Sequence, residues 1–182
     1  MALSFAGNGT ITGLSVGGLP DGTVDADTLA SGVGGKVLQV VNFQTGTGAT
    51  GSTTVPHDNT IPQNTEGTEF MTLAITPTSA SSKLIIDVVA VIAHATGDTH
   101  CVFLCQDSTA NALASVDTNA GNLENNTLFL RHYMTASTTS STTFKVRAGS
   151  NSAGTFTFNG VNGNQKRGGT MASSITITEI SA

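Results

Sequence analysis

The sequence predicts an all-β fold: an antiparallel β-sandwich, wired as a jelly roll, carrying an extended N-terminal arm. Three observations predict it. Short runs alternate apolar and polar residues with the period of a strand. Thr and Val are abundant, and both are stiff at χ1 and suit a pleated surface. Clusters of Gly, Ser, Asn and Asp separate the runs and supply turns. No segment carries a 3.6-residue apolar stripe over a dozen residues.

Residues 1–35 stand apart as an arm. They are Gly-rich and hold few large apolar residues. Leu19-Pro20-Asp21-Gly22 reads as a turn, and Thr23–Ala30 as one short helical turn. Such a segment cannot bury a core of its own and is ordered only by what it binds.

Residues 36–182 read as the sandwich head. Lys36–Phe43 is apolar on both faces, which predicts a central strand. Gln44–Gly67 reads as a long polar loop. Glu69–Thr76 alternates, with Met71, Leu73 and Ile75 on one side. After the turn cluster Pro77–Ser82, Lys83–Ala93 is the longest strand, with Leu84, Ile86, Val88, Ala90 and Ile92 on one face. Asp87 interrupts its other face. His94–His100 reads as a hairpin connection into the strand His100–Gln106. Asn111–Val116 is a weak strand and Thr127–Met134 a good one. Thr143–Ala148 puts Phe144, Val146 and Ala148 inside and Lys145 and Arg147 outside. Thr155–Asn159 brings Phe156 and Phe158 together, and Ser174–Ile180 closes the chain.

Composition narrows the function. Charged residues make up 10% of the 182 and the formal net charge is −5, which argues against nucleic acid and against a polybasic membrane patch. No run approaches the ~20 apolar residues of a membrane span, and the start lacks the features of a signal peptide. A soluble protein made in a cytoplasm is expected. Cys101 and Cys105 lie four apart on a predicted strand, about 13 Å from each other. A disulfide needs Cα atoms within ~7 Å, so buried free thiols are expected. Strands apolar on both faces, namely Lys36–Phe43, His100–Gln106 and part of Lys83–Ala93, need a second covering surface. A homotrimer would supply it.

Three phrases carry a resemblance. Gly35-Lys36-Val37-Leu38-Gln39-Val40-Val41 opens the head, Ile75-Thr76-Pro77-Thr78-Ser79-Ala80-Ser81-Ser82-Lys83-Leu84-Ile85 sits mid-chain, and Arg167-Gly168-Gly169 leads into Ser174–Ile180. Their order resembles the head domains of bacteriophage fibre-type virion proteins, over about residues 35–182. The resemblance implies a homotrimer on the particle surface, a short tail-fibre-type protein for host-surface attachment. Its arm would be held by another virion protein, with Leu14, Val16, Leu19, Val24 and Leu29 as docking candidates. A capsid decoration or cement protein with the same trimeric head is the alternative, and a virion-associated polysaccharide hydrolase a more distant one.

Few residues suggest chemistry. His94 and His100 flank Asp98 and are the candidates for a metal, but their spacing matches no ligand motif, so neither metal nor cofactor is expected. Cys105 with either histidine would be a thiol/imidazole pair. Asp87 and Glu179 are the carboxylates to weigh for glycoside cleavage, which needs two of them across a sugar. No nucleophile elbow is present, so a non-enzyme is expected. Asn162–Gly169 is the one basic, Gly-rich loop, and Asn119–Asn126 is rich in amides. Their Asn122, Asn125, Asn162, Asn164, Lys166 and Arg167 are candidate contacts for a cell-surface glycan or another protein.

Overall fold

The computed structural model describes residues 4–5, 11–12 and 36–182, in two units, Met1–Gly35 and Lys36–Ala182. In the first unit β1 (Ser4–Phe5) pairs antiparallel with β2 (Ile11–Thr12). The arm-docking positions Leu14, Val16, Leu19, Val24 and Leu29, and the helical turn over 23–30, lie outside the described residues.

The second unit is built of β3 (Val37–Thr45), β4 (Ala49–Gly51), β5 (Thr68–Ile75), β6 (Lys83–His94), β7 (Asp98–Gln106), β8 (Ala114–Ala120) and β9 (Asn126–Thr135). Next come β10 (Thr142–Ser150), β11 (Phe156–Phe158), β12 (Gly160–Val161), β13 (Asn164–Gln165) and β14 (Ser173–Ile180). The eight long strands pair from the outside in. β3 pairs with β14, β5 with β10, β6 with β9 and β7 with β8, all antiparallel. This is one long ribbon folded on itself. Each pair has one apolar face to bury, so alternate pairs stack in opposite layers. One layer runs β3-β14-β6-β9 and the other β5-β10-β7-β8. That order is a jelly roll. β11 extends the first layer beyond β14, pairing Phe156 with His94, and β4 pairs with β11.

The core lies between the layers. Ile86, Val88, Ile175 and Ile177 face Val102, Leu104, Phe144 and Val146, all at most 1% exposed. A bulge at Phe70 turns that ring inward, where it stacks on Phe158 at 4.7 Å.

Four expectations need correction. Among the described residues β3 pairs only with β14 and is an edge strand, so Val37 and Val40 stay 58% and 57% exposed instead of being layered. Residues 94–100 make no hairpin, because β6 already has β9 on one side and β14 and β11 on the other. The chain must cross to the other layer. The strand read at Asn111–Val116 lies at Ala114–Ala120, since Asn111 and Ala112 pair with the 62–63 segment instead of with β7. The polar stretch 44–67 also holds β4, and its remainder straps the outer face of β7. Val55 N–H donates to Ser150 O, Gly67 N–H to Thr54 O and Ala112 N–H to Pro62 O. Val55 and Ala112 pack on Cys101, Phe103 and Cys105. The second apolar face of β7 is therefore covered by its own chain and does not need a partner.

Successive long strands alternate in direction, so the connections sort to two ends. Segments 46–48, 95–97, 121–125 and 151–172 emerge at one end. Lys36 sits at the other, where Ser181 N–H donates to Lys36 O at 2.9 Å.

Candidate functional site

Both loops singled out in the sequence emerge at the end opposite Lys36. The longer one stands on a buried polar base. Asn159, fully buried at φ 57°, donates through Nδ2 to Thr45 O and Thr47 O at 2.9 and 3.1 Å. Its Oδ1 accepts from Ser173 Oγ at 2.6 Å, and Ser173 Oγ accepts from Val91 N–H at 2.9 Å. Three elements are thus tied to one amide, whose own buried polar atoms and the buried Ser173 hydroxyl all find partners. Above this base Gln165 Oε1 accepts from Gly48 N–H. Gly46 fits so closely that a Cβ there would fall 1.7 Å from Gly169 O. Arg167, Gly168 and Gly169 follow with φ of 54°, 62° and 88°, a left-handed run that two glycines make tolerable.

Asn125, Lys166 and Arg167 line one open cleft of about 310 Å³, with Val161 and Met171 as its apolar lining. The structure therefore joins half of the six contact candidates. Asn122 is taken up internally, accepting from Gly97 N–H at 2.5 Å, and Asn164 donates to Asn162 O within its own turn. Sequence reasoning missed Asn159 and Ser173, whose partners are distant in the chain.

The other candidates do not assemble. Asp87 lies on the outer face of β6 and pairs bidentately with Arg131 at 2.6 and 2.9 Å. Glu179 is buried on the core side of β14 and makes no ion pair among the described residues. Burial alone would push its carboxyl up. Hydrogen bonds from Gln39 and Thr78 outweigh that and hold it at about 2. The two carboxylates thus point from opposite faces of one sheet and cannot flank a sugar.

Cys101 and Cys105 are free, buried and on the strapped face of β7, away from His100 on the core face. Burial pushes the Cys105 thiol up, so the thiolate a nucleophile needs is disfavoured. His94 and His100 are 1% and 0% exposed and are not the polar turn residues expected, because the crossing carries both inward. Their ring centroids are 5.5 Å apart and Phe156 packs against both. His94 Nδ1 meets Thr96 O at 2.8 Å, whereas His94 Nε2 and both His100 nitrogens find no partner among the described residues. Burial first, then His94, pushes His100 below its ordinary value. Among the described residues no three His, Cys, Asp or Glu side chains form a metal-holding group.

Comparison with known proteins corrects the sequence reading. Solved structures similar to this chain include the EclA C-terminal domain, a sugar-binding protein, at 17% identity over 71% of this chain and 79% of that one, TM-score 0.35. A structure of infectious bursal disease virus, Gx strain, is 11% identical over 90% and 45%, TM-score 0.40. The enzymatically active domain of tailspike protein 4 of bacteriophage CBA120 is 17% identical over 69% and 20%, TM-score 0.28. At these TM-scores the likenesses carry no functional weight. No curated protein matches the sequence. The fibre-protein resemblance, and the virion location it implied, are overturned by the family match, which is to a different family. Residues 49–182 match the Pgp3 C-terminal domain, and the chain belongs to that family.

Proposed function

We propose that the chain is a structural, non-catalytic binding protein whose head works as a homotrimer, with its loop end turned to a cell-surface glycan. The observation that carries this reading is the outer face of the β3-β14-β6-β9 sheet, which the described residues leave uncovered. Phe129 and Tyr133 on β9 are 54% and 60% exposed, on either side of the Asp87–Arg131 pair and beside half-buried Ile85 and Val89 on β6. Val37 and Val40 on β3 form a second apolar stripe, and the polar row Ser174, Thr176 and Thr178 of β14 lies between the two. The stripes differ, so one copy's β9 stripe suits the next copy's β3 stripe. Head-to-tail contacts whose rotation closes form rings, of which a trimer is the smallest.

The non-catalytic half of the reading is supported by the opposed placement of Asp87 and Glu179 and by the raised Cys105 thiol. Weak single-site contacts from polar loops would gain from threefold presentation on a repetitive surface. Incubation with surface polysaccharide tests this half. No release of reducing ends is expected, and release that is lost in Asp87→Ala or Glu179→Ala overturns it.

A further inference from the structure

We propose that the cleft between segments 121–125 and 160–171 binds an anionic sugar, one bearing a carboxylate or a sulfate. This deepens the binding-protein reading and rests on it. The chain holds seven Lys and Arg. Arg131 is held by Asp87, Lys83 donates to Thr135, and Lys145 and Arg147 lie beside Glu69. Lys36 is at the opposite end, beside Ser181. Lys166 and Arg167 remain, adjacent and exposed, and neither pairs with a carboxylate among the described residues. In a chain of net charge −5, two neighbouring cations without an ion pair at the rim of one cleft are a local exception, and the one carboxylate of segment 121–125, Glu124, accepts from Gly121 N–H.

The lining fits this ligand class. The Arg167 guanidinium is a planar fork that matches carboxylate or sulfate oxygens, and Lys166 adds a point charge. The Asn125 amide both donates and accepts, as sugar hydroxyls require. Val161 and Met171 offer an apolar surface to the C–H face of a ring. The volume, about 310 Å³, falls at the lower end of ligand-sized pockets, ~300–1,000 Å³. The base is preorganised: Asn159 anchors the loop and Gly46 backs it, so little ordering remains to oppose binding. Two cations are too few to track a phosphate backbone, which separates this site from a nucleic-acid surface.

The test is binding of the full chain to three fluorescent probes: a sulfated oligosaccharide, an oligouronate and a neutral oligosaccharide. Binding of at least one anionic probe is expected, with affinity falling as salt is raised. The two anionic arms tell sulfate from carboxylate. Changing Lys166→Ser together with Arg167→Ser should cost about tenfold or more, and Asn125→Ala several-fold. The changed side chains are exposed, and an unaltered melting temperature verifies that the variants fold. Should the neutral probe bind equally well and the double change leave every affinity unaltered, the anionic inference fails while the binding-protein reading stands. Should no oligosaccharide bind, both fail.

Discussion

The outer faces of the two layers carry comparable apolar side chains and meet different fates. On β7, Cys101, Phe103 and Cys105 are 7%, 0% and 0% exposed, because the strap bearing Val55 lies over them. On β9 and β3, Phe129, Tyr133, Val37 and Val40 are each more than half exposed. From the sequence, the second faces of His100–Gln106 and Lys36–Phe43 look alike. The difference teaches that an apolar second face states a need for cover but not its source. One face is completed within the chain, and the other is left open by the described residues.

Truncation sharpens the contrast most. Phe103→Ala removes a fully buried ring from under the strap and should cost about 3–5 kcal/mol in denaturant unfolding. Phe129→Ala, measured at a concentration where the protein is monomeric, should change stability by no more than ~0.5 kcal/mol. Equal losses at the two sites would erase the distinction.

Asn159→Ala comes next. It removes the acceptor of buried Ser173 Oγ and the donor to the Thr45 and Thr47 carbonyls, with an expected loss of about 1–3 kcal/mol. Faster amide exchange should be confined to the 160–171 segment and the backing residues 45–48. Loss of protection throughout both layers would mean that the amide holds the whole sandwich, not the loop base.

A smaller effect follows from His100. Its folded-state value lies below the ordinary 6.5, so the neutral form is favoured by folding. That contribution is complete above about pH 6.5 and is lost as pH falls through this value toward the lower folded one. Glu179 acts in a separate window, with stability present above its ordinary 4.5 and lost as pH falls toward about 2. In pH-dependent melting, His100→Phe should flatten the slope in the upper window alone. An unchanged slope there would show that the histidine pair does not set it.

Much of the fold was legible because alternation reports burial directly. Phe144, Val146 and Ala148 are fully buried between less buried Lys145 and Arg147, as their spacing predicts. Leu84, Ile86, Val88, Ala90 and Ile92 are likewise all inside. What pattern cannot report is which element does the covering. The strap was hidden in a polar stretch whose one signal was Val55, the only large aliphatic residue between Phe43 and Ile61. The inward histidines at 94 and 100 were missed because a crossing and a hairpin have similar local sequences. The cleft was half legible: the composition of the two loops marked Asn125, Lys166 and Arg167, but the pairing that joins them and the amide at Asn159 depend on long-range register.

Light scattering of the purified chain at micromolar concentration, beside a variant with Phe129→Glu and Tyr133→Glu, tests the bare face as the surface that joins copies. The expected result is three times the chain mass for the unaltered protein, and a single chain mass with an unchanged melting profile for the variant at low concentration. A single chain mass for the unaltered protein, or a trimer that survives both glutamates, would contradict it.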